Sequence, residues 1–459
     1  MRRGLLIGVL ALLTACAAEP LPRAAPLPVV QDSVVPTAAP IPSQILKKYS
    51  DSVKHSANLV PEAALPNPAP FDTQDAIGTD LAFTGDYAVA GNYEGFTVYD
   101  ISDPAKAKIV SQTYCPGPQN DVTISGDLLF LSVDAPMADD KCGSRTAEAA
   151  EGWEGIRIFD LSDKAAPKYV AAVPTPCGSH TATLVPGPAD AALLYVSSAP
   201  SRAATTECTA HKGRIAVVKV PLADPKSAEI AATPMLMDDG GTPLERLSYG
   251  GCHDITVFAA RKLAAASCIG DGLLLDIADP LKPKVLDRVQ DDKHFGYWHS
   301  AVFTRNGDRV VFSDEFGGGR SIVCDPKAGS FGGNGIYEIA GGKLKPLGYF
   351  KIPRPQLEPK TCSAHNGSLI PVTGRDVMVQ GWYEGGVSVI DFTDPAQARE
   401  IAYFQREKAP VEIGGSWSAY YYNGHIYSSD LVAGLDILRL TGVPLEPAKP
   451  GQLNAQTQG

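Results

Sequence analysis

The chain has 459 residues, a formal net charge of -11 and a pI near 5.3. No dense Lys/Arg patch or aromatic stacking ladder accompanies that charge, which argues against nucleic acid as a partner and leaves the acidic surface to serve solubility.

The N-terminus, "MRRGLLIGVLALLTACAAEP", has a basic start at Arg2 and Arg3, an apolar core from Leu5 to Leu13 and a small-residue exit. This layout predicts a secretory signal peptide over residues 1–15, since the apolar run is too short to span a bilayer as a mature helix. The exit "LTAC", ending at Cys16, resembles the bacterial lipobox, in which the cysteine is acylated and becomes the new N-terminus. More than one acyl chain gives stable anchoring, so the expected membrane contact is a lipid anchor at Cys16. Residues 16–44 are rich in Ala and Pro and read as an extended tether. No second long apolar segment follows. The remainder is expected outside the cytoplasm, on the outer membrane if the cell has two, because Ala17 rather than Asp follows the cysteine.

From about residue 45 the chain repeats itself. Segments of the form Gly, alternating apolar residues, Asp, apolar, Ser/Thr/Ala and Asp recur as "GFTVYDISDP" from Gly95, "GIRIFDLSD" from Gly155, "GLLLDIADP" from Gly272 and "GVSVIDFTDP" from Gly386. Weaker copies start at Gly213, Gly335 and Gly434. Copies lie about 50 to 60 residues apart, which is the spacing of propeller blades. Each Gly-started strand follows two others joined by Gly-Asp or Asn-Gly turns, such as "DVTISGD" and "LLFLSVD", and precedes a fourth such as "PKYVAAV". The predicted fold is all-β, a seven-bladed β-propeller of four-stranded blades over residues 45–442. The seventh copy lacks a fourth strand, and a strand-like stretch from Val53 precedes the first copy. Pairing the two closes the ring. Residues 443–459 are expected as a disordered tail.

These Gly-x-x-Val/Ile-x-Asp segments resemble the LVIVD-repeat family of bacterial secreted and envelope proteins. The resemblance covers roughly residues 52–442, implies the seven-bladed propeller and implies little about chemistry. Copies three and five depart from the motif, with Val-Lys-Val at 218–220 in place of the aspartate.

The first strand of a propeller blade lies innermost, and its entry shares one face with the loop after the second strand. His180, His253, His299 and His365 all stand at first-strand entries, in "SHTATLV", "CHDITVF", "WHSAVFT" and "AHNGSLI". Four imidazoles are therefore expected around half of one channel mouth, with Asp121, Asp254, Asp271, Glu315 and Glu384 as candidate supporting carboxylates. Imidazole suits Cu, Zn and Fe, and a carboxylate can orient a ring or complete the shell. The competing reading makes each histidine a strut to the next blade's backbone. "WYEGG" at Trp382 and "CHD" at Cys252 are similar to elements of selenium-binding proteins, which include copper-dependent methanethiol oxidases; the similarity covers these two short patches.

Beyond Cys16 there are eight cysteines, an even number that fits disulfides in an oxidising compartment. Nearest-neighbour pairing gives Cys115 with Cys142, Cys177 with Cys208, Cys252 with Cys268 and Cys324 with Cys362, although eight cysteines allow about 105 pairings. A rival reading makes Cys177-x-x-His180 and Cys362-x-x-His365 two zinc half-sites. The glycine-rich stretch from Glu315 to Gly335 lacks the Lys-Ser/Thr of a phosphate loop, and "GGSWSAY" at Gly414 lacks the glycine of a nucleophile elbow. The sequence thus points to a lipid-anchored module binding a small molecule or protein at its channel face, with a metal-dependent oxidase or hydrolase and a purely structural scaffold as alternatives.

Overall fold

The computed structural model describes residues 40–148, 152–198, 208, 211, 213–241, 251–323, 329–354, 360–447 and 451–459. All belong to one compact unit, residues 32–459. Cys16, the signal peptide, most of the tether and Cys324 lie outside the described residues.

The strands fall into seven four-stranded antiparallel units. Their first strands are Gly78–Thr84, Gln119–Ser125, Thr181–Val185, Asp254–Phe258, Trp298–Phe303, Asn366–Ile370 and Ser416–Tyr422. Each touches the first strand of the next unit, and the seventh touches the first. The chain is therefore a closed β-propeller. The middle strands are apolar on both faces, as in Leu128–Val133, because every blade is sandwiched between two others. The fourth strands are half exposed, as in Lys284–Val289.

The repeated motif has a local reason. The aspartate ending the third strand of blades one, two, four and six folds the chain back by accepting from the residue two further on: Asp100 Oδ1 from Ser102 N at 3.0 Å, Asp160 from Ser162 at 2.8 Å, Asp276 from Ala278 at 2.8 Å and Asp391 from Thr393 at 3.2 Å. This Asx turn, followed by Asp-Pro, starts a short 3-10 turn into the outer strand. Glycine opens the third strand because Gly95 has φ 147° and a Cβ there would lie 1.9 Å from Thr113 O.

As expected, the ring closes through the N-terminus. Leu59–Leu65 pairs antiparallel with Gly434–Leu440 as the fourth strand of the last blade. Two features differ from the sequence reading. A helix, Ser43–Asp51, precedes that strand where a tether was expected to end, and its buried Tyr49 donates to Asp430 Oδ2 at 3.1 Å. The tail is not disordered at its end: Gln452–Asn454 and Thr457–Gln458 form strands inside the ring, with Asn454, Ala455 and Gln456 buried. Its polar composition hid this, because its partners are backbone groups and not an apolar face.

Blades are tied to one another near the channel by hydroxyls. Thr79 Oγ1 donates to Asn120 O at 3.4 Å, Thr123 to Ala182 O, Thr181 to His253 O at 3.0 Å, Thr183 to Ile255 O at 2.6 Å, Thr256 to Ala301 O at 2.8 Å and Ser300 to His365 O at 3.1 Å. Tyr421 N donates to Ser368 Oγ at 2.9 Å, and Tyr420 OH to Asp80 at 2.5 Å completes the circuit. Thr183→Val leaves a buried carbonyl without its donor and is expected to cost about 1 to 3 kcal/mol in urea unfolding. A loss indistinguishable from zero would show that these ties are incidental.

Cys115–Cys142, Cys177–Cys208 and Cys252–Cys268 are disulfides, as the nearest-neighbour reading expected. Cys362 is also disulfide-bonded. Three such bridges fit an oxidising, extracytoplasmic compartment. They also remove the rival zinc half-sites, because Cys177 and Cys362 have no free thiolate. Among the described residues, no helix is long and apolar enough to cross a membrane.

Candidate metal centre at the channel mouth

The four first-strand entries bring their imidazoles into a continuous arc. Ring centroids are 4.1 Å apart for His180 and His253, 4.1 Å for His253 and His299, and 4.0 Å for His299 and His365. Trp417, the equivalent residue of the seventh blade, continues the arc at 4.4 Å from His365. All four histidines are buried.

Each ring is held differently. His180 Nδ1 bonds Asp134 Oδ2 at 2.6 Å, and its Nε2 is 3.2 Å from Gln119 Nε2. His253 Nδ1 is held by Asp254 Oδ1 at 2.9 Å. His365 Nδ1 donates to Trp417 O at 2.7 Å, which fixes its tautomer and leaves a lone pair on Nε2. His299 Nδ1 is buried with no hydrogen-bond partner. Among the four rings, the His365 bond is the one strut to the next blade's backbone, while His180 bonds two side chains of the preceding blade, Asp134 and Gln119.

Glu315, at the end of the second strand of blade five, lies between the last two rings. Its Oε2 is 3.7 Å from His299 Nε2 and its Oε1 is 3.8 Å from His365 Nε2. Tyr383 donates to Oε1 at 2.5 Å. Tyr383 comes from the "WYEGG" turn of blade six and has φ 50°, an uncommon conformation for a non-glycine residue. That turn is clamped to blade seven by reciprocal bonds between Tyr383 and Ser416 backbones, both 2.9 Å. Gly415 permits the contact, for a Cβ there would sit 2.0 Å from Tyr383 O. The helix supports the same corner, since Ile41, Tyr49, Tyr383 and Trp417 share one apolar cluster.

His253, His299 and Glu315 each offer a ligand atom, and the three atoms lie within 4.8 Å of one another. Electrostatics keeps the two imidazoles neutral. Burial, with neighbouring histidines, holds His253 and His299 well below the ordinary imidazole value, and burial pushes His365 down to about 3. His180 is the exception: burial pulls it down, but the bond and charge of Asp134 more than offset this and raise it. Burial pushes Glu315 up to about 7, against the Tyr383 hydrogen bond, and Asp254 up to about 8. Burial and then the charge of Glu315 raise Tyr383.

The other expected carboxylates separate into two groups. Asp121 lies deeper in the channel beside Asp80 and Asp254, and burial followed by their charges raises it well above the carboxylate range. Asp271 and Glu384 do not serve the imidazoles. Asp271 is taken by Arg288 at 2.8 Å and Gln290 at 2.7 Å, and Glu384 accepts from Thr361 N and Ala409 N, both at 2.8 Å. They occupy the same loop position as Glu315, but their nearest donors are local. Asp134 and Tyr383 were missed. Asp134 follows a register irregularity in its strand that displaces it from the simple alternation. "WYEGG" places Tyr383 directly beside the expected Glu384, and it is the tyrosine that reaches the imidazole arc, through Glu315.

No protein-family model matches the chain, and no curated protein matches it. Solved structures do. The β-propeller domain of Cps50 (Swd1) from Myceliophteria thermophila superposes with a TM-score of 0.52 at 12% identity, covering 83% of this chain and 100% of that one. The periplasmic gluconolactonase PpgL of Pseudomonas aeruginosa gives 0.52 at 12% identity, covering 82% and 100%. At such identities the likeness concerns architecture alone, and it agrees with the closed ring: the chain is a β-propeller.

Proposed function

We propose that this protein is an envelope-anchored β-propeller of the LVIVD-repeat type that binds its ligand at the channel mouth through a transition metal held by His253, His299 and Glu315. One observation carries the reading: two neutral imidazoles and a carboxylate converge within 4.8 Å, and one of the imidazole nitrogens is buried without a partner. Asp254 on His253 Nδ1 is the outer-shell carboxylate that metal-binding histidines use to fix ring orientation. Two histidines and one carboxylate with open positions suit Fe(II) or Zn, and His365 stands ready as a further ligand for Cu. The bound ion would supply Lewis-acid or redox chemistry. The aromatic rim of Tyr297, Tyr383 and Trp417 would face a small ligand. The "LTAC" motif supports acylation of Cys16, and the disulfides support an extracytoplasmic site for the anchored propeller.

The test is metal analysis by inductively coupled plasma mass spectrometry on protein exported to an oxidising compartment and purified without a chelating tag. About one equivalent of Fe, Zn or Cu per chain is expected after incubation with the ion. Absence of stoichiometric metal, together with no calorimetric binding at about 100 μM ion, would sink the reading.

A further inference from the structure

Residues 451–459 lie inside the propeller, at the end of the channel away from the histidines. Gln452–Asn454 pairs antiparallel with Ala82–Thr84 on the first inner strand, and Thr457–Gln458 pairs parallel with Val257–Phe258 on the fourth. Side chains reach three more. Asn454 accepts from Ile124 N and donates to Ile124 O, both at 2.8 Å. Thr457 Oγ1 donates to Leu184 O at 2.7 Å, and Gln458 Oε1 accepts from Phe303 N at 2.8 Å. Gln456 accepts from Val257 N at 2.7 Å through its carbonyl and donates to the buried Asp80 at 2.9 Å through Nε2.

Inner strands are sheet edges, and an edge is a row of unpaired N–H and C=O groups that accepts an added strand. Here nine residues satisfy such groups on five inner strands at once. Polar contacts dominate: Ala455 is the buried apolar residue of the segment, and Leu453 is partly buried. Recognition rests on side-chain amides read by backbone. The two-way bond of Asn454 with Ile124 is the most selective of these, because an aspartate cannot make the donor half.

We infer that this end of the channel is a peptide-binding site for an extended, amide-bearing segment, and that residues 451–459 are its resident ligand, able to dissociate and rebind without unfolding the ring. The inference does not rest on the metal site proposed for the other mouth.

The experiment keeps the whole chain. A protease site is introduced just before Gly451, the folded protein is nicked, and a synthetic Gly451–Gly459 peptide labelled at its N-terminus is added. Exchange into the nicked protein is expected as a saturable rise in fluorescence anisotropy, with binding about tenfold weaker for the Asn454→Ala peptide. No exchange under native conditions, or equal binding of both peptides, overturns the proposal. If the altered chain does not fold, hydrogen exchange on the unmodified protein decides. A separable tail exchanges its 452–458 amides about tenfold or more faster than Leu263–Cys268, the strand paired on both sides within the blade, by local opening. Exchange at the rate of global unfolding overturns the proposal, because the segment would then be an integral strand.

Discussion

The double variant His253→Ala, His299→Ala is expected to lose metal affinity by about 100-fold or more while remaining folded, since outer-shell changes alone cost 10- to 100-fold and this change removes two of the three ligand side chains. Retention of the fold follows from where the blade-to-blade ties are. Thr181 and Ser197 bond the carbonyl of His253, not its ring, and Ser300 bonds the carbonyl of His365. Alanine keeps those carbonyls. Both imidazoles are buried as neutral groups, one with an unsatisfied nitrogen, so the apo protein gains little from them. The lost ring volume lies in a polar mouth that water can fill. Thr183→Val is the contrasting variant: it removes a tie to Ile255 O at 2.6 Å and is expected to lower the melting temperature with metal affinity unchanged. Melting curves and metal titrations on the two variants therefore move in opposite patterns. If the double histidine variant melts far below the wild type without having bound metal, the arc is a structural stack.

His365→Ala belongs between these extremes, because its Nδ1 spans to Trp417 O of the next blade at 2.7 Å. The strut reading and the ligand reading each describe part of the arc. Identical motif positions diverge once neighbours differ: on Nδ1, His180 meets Asp134, His253 meets Asp254, His299 has no hydrogen-bond partner and His365 meets a backbone carbonyl.

That divergence also marks what the sequence could convey. Strand order, ring closure and the shared face of the histidines follow from periodicity and spacing, because each is repeated or forced by the two-residue alternation of strands; the three disulfides match nearest-neighbour pairing, which is one of about 105 pairings that eight cysteines allow. The identity of the working carboxylate does not follow. Glu315, Glu384 and Asp271 sit at equivalent loop positions, and which of them meets an imidazole depends on whether a closer donor exists: Arg288 claims Asp271, and the Ala409 and Thr361 amides claim Glu384. The tail escaped for a related reason. "GQLNAQTQG" has no apolar period, and polar segments ordinarily stay disordered. It is ordered by backbone edges that only the assembled ring creates.

Metal affinity is expected to depend on pH through Glu315. Its carboxyl is pushed up to about 7 by burial, and only the deprotonated form is a ligand. Affinity should therefore fall about tenfold for each pH unit below 7 and level off above it. His253 and His299 do not compete with protons in this range, since burial keeps both neutral well below the ordinary imidazole value. About one proton per ion should be released at pH 6, measurable by calorimetry in buffers of different ionisation enthalpy, and the release should shrink towards pH 8. Asp254, pushed to about 8, adds a shallower step, because its carboxylate strengthens His253 as a ligand without touching the ion. Stability of the metal-free protein runs the other way. For an acid whose folded value is raised, stability is fully present below the ordinary carboxylate range and is lost as pH rises through about 7. Apo protein should thus melt lower at pH 8 than at pH 5, while saturating metal should stabilise more at pH 8. Glu315→Gln should abolish the slope below pH 7 and remove its share of the apo protein's alkaline loss. A slope that survives Glu315→Gln would assign the proton to another group and take Glu315 out of the ligand set.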